Sequence, residues 1–558
     1  MKSKRFLVPL LLAFVLIISG ICVLIFDQKS DNLKSKLKTI SVNFLTNKYE
    51  IDDTEKVIDT YSIDDYEKFK EEYDKGKLPE IYITEFLFDG VSKYKPYDLD
   101  DFIENGNEYE TEDIEIKVIN IKTEGYVVLT GEVSNGMLAV NSNNLNDDLY
   151  IVLDNFKLDT DSKKVPAVYV YNKDTNYTEH KVTIEAKKDT KNYIEGGKLK
   201  KVSLLASDNL SNYSDSYNDT AKTNYENYTN YYGIYDSSEL DDVLFAKIEA
   251  DKEDLNDGDP LYFYKASGAI SSDIDLYFEG EGYLEVISKN KEGIETKGNL
   301  VFSGGVGDYL ITAQDDCLNT TLDVPNSRND LMIDVNTLTA IVSLDGDEGD
   351  AIDSNGKLEI DGGTIIAIAR PGQDAGLDSS KGTYINGGKV IATGDMYDEI
   401  NSNSNQKFIV LSFGSKVVEN SLITLLDSND KNVFAYKTDR TYSILVYSDS
   451  NLSDETYTLY KDGEINGDVL DGLYSNIKDY NKGVQLGYVS KENGESRNNQ
   501  GENPPEMPNG ERPDGNGNPP EMLNDFETNF EAENKDFVLS GIANIFKGVV
   551  NYSEKNSN

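Results

Sequence analysis

From Glu292 to Gly394 the chain repeats one unit. Its copies read EGIETKGNLVFSGG (residues 292–305), GDAIDSNGKLEIDGGTIIAIA (349–369) and AGLDSSKGTYINGGKVIATG (375–394). A further copy, DDCLNT (315–320), keeps the acidic turn but is followed by a longer loop before LMIDVNTLTAIV (331–342). Aligned on Ile294, Leu318, Ile352 and Leu377, the copies lie roughly 24 to 34 residues apart, the spacing of stacked repeat architectures. The apolar half of each unit is too short for a helix and is rich in Val, Ile and Thr, so it reads as a strand. One unit cannot bury its own apolar face, whereas a stack buries a continuous column. The expected fold is all-β: a right-handed parallel β-helix, or solenoid, with a C-terminal antiparallel strand layer.

Charge narrows the function. The 558 residues hold 54 Lys and Arg against 101 Asp and Glu, a formal net charge of −47. Nucleic acid is excluded as a partner, because its binding rests on basic contacts to phosphate. Such a charge draws cations and resists compaction unless cations screen it. There is one histidine, His180, there is no tryptophan, and there are two cysteines, Cys22 and Cys317. His-based triads and multi-His metal sites are thereby excluded, and zinc is not expected at the acidic turns, where its Cys and His ligands are missing. Cys22 lies in an apolar N-terminal segment, so no intramolecular disulfide is expected.

That segment, Phe6 to Phe26, follows Lys2, Lys4 and Arg5. About 20 apolar residues suffice to span a bilayer, and the preceding positive charges favour a cytoplasmic N-terminus. Residues 1–27 read as a membrane anchor or signal segment, with the bulk of the chain extracellular at the cell surface. Residues 28–111 form a small mixed region, in which IDDYEKFKEEYDKGK from Ile63 reads as a charged helix. The β-helix is expected over 112–400. A polar, Tyr- and Asn-rich stretch at 208–240 interrupts it as an insertion loop. Strand-like runs over 401–490 form the closing layer. Residues 491–525, rich in Pro, Gly and Asn, read as a disordered linker. Within 526–558, Val538, Ile542, Ile545, Phe546 and Val549 recur at helical spacing, which predicts a short amphipathic helix.

The segments GYVVLTGEVSNG from Gly125, GIETKGNLVFSGG, GDAIDSNGKLEIDGGTIIAIA, AGLDSSKGTYINGGKVIATGD and SDETYTLYKDGEINGDVLDGLYS from Ser453 resemble a bacterial family of surface proteins. These are described as carbohydrate-binding domain-containing, with a pectate-lyase-like parallel β-helix. The resemblance is most specific at the turns Ala351 to Gly356 and Gly376 to Gly382. It implies binding of polysaccharide, particularly of acidic polymers such as pectin, with bound calcium and no established hydrolysis. Asn319 and Ala375 depart from the pattern by replacing acidic residues.

Read as columns, the turns place Glu292, Asp316, Asp350 and Ala375 in one register, and Glu295, Asn319, Asp353 and Asp378 in another. Layers of a parallel sheet lie about 4.8 Å apart, so stacked carboxylates repel. A calcium ion takes oxygen ligands and can be shared between layers. The expected calcium ligands are Glu295, Asp315, Asp316, Asp350, Asp353 and Asp378. Without tryptophan, sugar stacking falls to tyrosine, and Tyr262, Tyr264, Tyr277 and Tyr384 lie on or beside expected strands. The partner expected from these residues is an acidic polysaccharide, with the membrane reached through the N-terminal segment. An enzyme is not indicated. The chain has six arginines, of which Arg370 alone stands near the acidic turns as a base for a calcium-dependent lyase. A non-catalytic structural or adhesion protein is the other alternative.

Overall fold

The computed structural model describes residues 37–92 apart from a few positions within 63–74, then 111–142, 145–171, 180–198, 268–321, 329–346 and 349–489, and the strand backbone within 538–550. Tyr262, Tyr264, the 208–240 insertion, the N-terminal apolar segment and the 491–525 stretch lie outside the described residues. The chain divides into two compact units, Met1–Asn401 and Ser402–Asn558.

The first unit is built from parallel strands whose register keeps equivalent residues on top of one another. In a ten-stranded sheet, Ile270–Ser272, Ile294–Thr296, Leu318–Thr320, Ile352–Ser354 and Asp378–Ser379 follow in order. Ile270 pairs with Ile294, Ile294 with Leu318 and Leu318 with Ile352. All four are fully buried. The turn-spaced apolar residues of the repeat therefore become one aliphatic column, as their alternation requires. Two positions along, Ser272, Thr296, Thr320 and Ser354 form a buried hydroxyl column. Their hydroxyls donate to backbone carbonyls: Thr296 to Ile274 at 2.6 Å, Thr320 to Asn329 at 2.7 Å and Ser354 to Lys357 at 3.0 Å. Buried hydroxyls need such partners.

The glycines of the turns are demanded by crowding between layers. A Cβ on Gly293 would stand 2.5 Å from the Cys317 carbonyl oxygen and 2.6 Å from Ile311 Cγ2. One on Gly356 would stand 2.1 Å from the Asn329 carbonyl oxygen. Cys317 is free and buried.

The all-β expectation holds, but the open right-handed parallel β-helix does not. The parallel pairing closes on itself. Leu149–Asp159 pairs with Val182–Ala186, which pairs with Leu276–Glu279, then Leu300–Phe302 and then Leu331–Val342. From Leu331–Val342 the pairing returns through Asp308–Ala313, Tyr283–Ser288 and Lys191–Gly196 to Leu149–Asp159. The circuit is a closed eight-strand parallel β-barrel with extra strands attached. Its physical cause is strand length. Leu149–Asp159 has 11 residues and Leu331–Val342 has 12, so each pairs with two shorter strands end to end. Closure removes two exposed strand edges. Inside, Phe278 and Phe302 stack with centroids 4.7 Å apart, and Tyr309 meets Phe302 edge-on at 5.0 Å.

The region before residue 111 contributes strands to the same sheets. Thr39–Asn43 pairs in parallel with Gly125–Val133, and Ile81–Ser92 pairs antiparallel with Thr111–Ile121. Lys68, Phe69, Glu71 and Glu72 are helical, where a charged helix was expected.

The second unit has antiparallel pairs, such as Phe408–Val417 with Tyr442–Ser448 and Ile423–Leu426 with Asn432–Tyr436. The C-terminal segment expected as an amphipathic helix forms strands at Val538–Leu539, Gly541–Ile542 and Ile545–Val550. Ile545–Val550 pairs in parallel with Phe408–Val417. A short apolar run does not distinguish helix from strand by spacing alone, and here an available strand edge decides.

The stacked ring pair sets the first prediction. Phe302→Ala, which removes a fully buried ring, lowers stability by about 3–5 kcal/mol. Val301→Ala, on the half-exposed face of the same strand, costs about 1 kcal/mol or less. Urea unfolding followed by circular dichroism checks this through the separation of the two midpoints.

Candidate functional site

The acidic column is real in the fold. Ser271, Glu295, Asn319, Asp353 and Asp378 occupy successive register positions in the ten-stranded sheet. Glu295 is buried, Asn319 nearly so, and Asp353 and Asp378 are half-buried. The second column precedes it in each layer. The Gly293 N–H donates to the Asp316 carbonyl, Cys317 to that of Asp350, and Ala351 to that of Ala375, which stacks Glu292, Asp316, Asp350 and Ala375. The expected ligands Glu295, Asp316, Asp350, Asp353 and Asp378 are thus brought to the starts of successive strands of the ten-stranded sheet. Asp315 lies beside them, held in an ion pair with Lys291.

Several of these carboxylates are also tied into the backbone. Asp316 Oδ1 accepts the Asp350 N–H at 2.8 Å, and its Oδ2 accepts Asn319 Nδ2 at 2.6 Å. Asp350 Oδ1 accepts the Ala375 N–H. Ala375, which departs from the acidic pattern of the turns, therefore serves the column with its backbone. Asp398 was missed by sequence reading. Its Oδ2 accepts both the N–H and the hydroxyl of Ser379 at 3.1 Å, and its charge acts on Asp378. No Gly-containing turn marks it. It arrives through the single bridges Ala375–Met396 and Thr383–Ile400, which the repeat does not announce.

Crowding shows in the proton affinities. Burial first, then the charges of Glu295 and Asp315, push Glu292 up to about 8. Burial, with Asp378 and Asp350, pushes Asp353 up to about 8. Asp350 rises to about 7, chiefly through burial and against the Ala375 hydrogen bond. Asp316 rises well above the carboxylate range through burial and the charges of Asp315 and Asp353. Asp378 rises through burial and Asp398. At about 4 Å two like charges repel by roughly 1 kcal/mol in bulk water and by about 4 kcal/mol near a protein surface. Such a stack relieves itself by taking up protons or a cation.

The donor set fits a hard, oxygen-liking cation. Glu292 Oε2 and Asn319 Oδ1 are buried oxygens that accept no hydrogen bond among the described residues. The carboxylates alone do not make a closed cage: no three of them in these columns bring oxygens within 4.8 Å of one another. Asn319 Oδ1, turn carbonyls or water would complete the coordination. Arg370 is half-buried, and its backbone N–H donates to the Gly349 carbonyl at 3.4 Å.

The aromatic residues fall on another face. One row runs Tyr126, Tyr150, Thr183, Tyr277, Val301, Met332, Glu359 and Tyr384 in consecutive register, partly exposed apart from the buried Thr183. Tyr277 and Tyr384 stand four layers apart, roughly 19 Å at the spacing of parallel layers, too far to sandwich one sugar ring. Each is covered by a lysine: Lys181 Nζ lies 4.7 Å from the Tyr277 centroid and Lys357 Nζ 5.7 Å from that of Tyr384. The Tyr384 hydroxyl accepts Asn401 Nδ2 at 3.0 Å. Tyr126 and Tyr150 were not singled out from the sequence. They stack at 4.7 Å with rings 16° from parallel. They are legible only once their strands are known to be neighbours.

The raised carboxyl groups predict a pH dependence. Glu292, Asp350 and Asp353 hold protons more tightly folded than unfolded, so the stability they contribute is present below the ordinary carboxylate range and lost as pH rises to about 8. Chelator-treated protein should melt a few degrees lower at pH 8 than at pH 5, and Asp353→Asn should flatten the slope. A melting temperature that climbs over this interval by differential scanning calorimetry would contradict the assignment.

Comparison with known proteins adds one match. Residues 239–438 match a family model described as carbohydrate-binding domain-containing protein. No curated protein and no solved structure matches the chain. The matched span contains both acidic columns together with Tyr277 and Tyr384, and it supports carbohydrate binding as the broad function.

Proposed function

We propose that this protein is a calcium-dependent carbohydrate-binding protein of the cell surface, directed to acidic, pectin-like polysaccharides. The observation that carries the reading is the stack of carboxylates with raised proton affinity, lying wholly within the span that resembles a carbohydrate-binding family.

A chain at −47 repels an anionic polymer, so direct binding requires a bridge. Calcium ions shared between neighbouring layers, each taken by a pair among Glu295, Asp316, Asp350, Asp353 and Asp378 with Asp315 alongside, and completed by Asn319 Oδ1, turn carbonyls or water, would cancel the mutual repulsion of the columns. Open coordination positions on those ions would be free for a uronate carboxylate. Lys181 over Tyr277 and Lys357 over Tyr384 supply positive charge beside an apolar ring, a pairing suited to a sugar that carries a carboxylate. Attachment at the membrane rests on the apolar segment after Lys2, Lys4 and Arg5. No helix among the described residues is long and apolar enough to cross a membrane.

Affinity electrophoresis in polygalacturonate gels tests the bridge. Calcium should retard the protein in the polymer gel, and rising salt should weaken the retardation. Asp353→Asn combined with Asp378→Asn should abolish the calcium effect. Tyr277→Ala should weaken retention about tenfold, equivalent to about 1.4 kcal/mol. Equal mobility with and without calcium, in gels with and without polymer, would sink the proposal.

Calcium that binds only the folded state also stabilises it in proportion to the logarithm of its concentration. Millimolar calcium should therefore raise the melting temperature near pH 8. A melting curve indifferent to EDTA would leave the columns as ordinary hydrogen-bonded turns.

A further inference from the structure

The geometry points to a second metal site, distinct in chemistry from the acidic columns, formed by Asp147, Asp148 and His180. We propose that it binds a divalent ion of the zinc class. One ligand atom from each of the three residues lies within 4.8 Å of the others, the one such group of His, Cys, Asp or Glu side chains among the described residues.

The parallel register explains the meeting. Leu149 pairs with Val182 at the start of neighbouring strands. Two residues earlier on each chain stand Asp147 and His180, so they enter adjacent layers at the same level. The connection is pinned by backbone bonds. The Leu149 N–H donates to the Lys181 carbonyl at 2.9 Å. The Lys181 N–H donates to Asp148 Oδ1 at 2.9 Å, and the Asp148 N–H to Asp147 Oδ1 at 2.8 Å. Both carboxylates are thus oriented before any ion arrives, which lowers the cost of assembling a site. The neighbouring cation, Lys181, is drawn over the Tyr277 ring.

The donor set separates this site from the columns. Calcium takes oxygen ligands, whereas an imidazole nitrogen with two carboxylate oxygens suits zinc and its first-row neighbours. Three protein ligands leave a fourth position open. The site is partly exposed, with Asp147 exposed and Asp148 and His180 half-buried, so an ion can enter from solvent. It adjoins the tyrosine row, since the charges of Asp148 and Asp147 both act on the Tyr150 hydroxyl.

His180 is the single histidine of the chain, which makes the test direct. Full-length, chelator-stripped protein labelled with ¹⁵N only at histidine gives one pair of imidazole nitrogen signals. Titration with zinc chloride should shift them and saturate at one equivalent, while calcium chloride should not. Asp147→Asn and Asp148→Asn should each weaken zinc about tenfold or more, and Asp439→Asn, at an exposed carboxylate of the second unit, should leave it unchanged. His180→Gln should lose one equivalent of zinc by calorimetry. Signals unmoved by millimolar zinc, or shifted alike in wild type and both Asn variants, would overturn the site and leave His180 as an ordinary half-buried histidine. Either result stands apart from the calcium bridge, whose failure is read with a different metal and different residues.

Discussion

Parallel register governs the repeat strands of this protein: there each side chain lies on its equivalent in the next layer, so each such column must be self-compatible. For Ile270, Ile294, Leu318 and Ile352 stacking removes apolar surface from water at about 25 cal/mol per Å². For hydroxyls the same geometry is tolerable because each finds a carbonyl nearby. For carboxylates it is unfavourable, and the columns of Glu292, Asp316 and Asp350 and of Glu295, Asp353 and Asp378 are where the register costs most.

The fold answers that cost with one recurring device. A side-chain oxygen of one layer accepts the backbone N–H of the next. Asp316 does this for Asp350, and Asp350 for Ala375. At the entry to the neighbouring strands, Asp148 does it for Lys181, Asp275 for Asn299, Asn299 for Asp330 and Asp330 for Lys357. The second series alternates charged with neutral or cationic residues. The first does not, and its proton affinities are correspondingly raised. The difference between the series, rather than the count of acidic residues, singles out the columns as the place where a cation gains most.

The aromatic row and the columns lie on different strands of each layer, so a polymer recognised by both would have to extend across layers. The distance between Tyr277 and Tyr384 and the lysine over each ring favour separate contacts along an extended chain over a closed sugar pocket. Residues 239–438, which match a carbohydrate-binding family model, hold both rings.

Much of the local order was legible in the residues. The turn glycines, the Val- and Ile-rich strands and the equivalence of Glu295, Asn319, Asp353 and Asp378 all follow from one repeat, because parallel stacking carries sequence spacing directly into space. The all-β class, the buried aliphatic column and the acidic columns follow from residue spacing alone. The rest depends on pairings between distant segments. Closure into a barrel depends on Leu149–Asp159 and Leu331–Val342 each reaching two partners, which no single strand's pattern encodes. Tyr126 on Tyr150, His180 beside Asp147 and Asp398 beside Asp378 are meetings between segments of unlike sequence. The strand at Ile545–Val550 formed where helical spacing was read, because pairing with a strand edge, a long-range interaction, outweighs a short run's local preference.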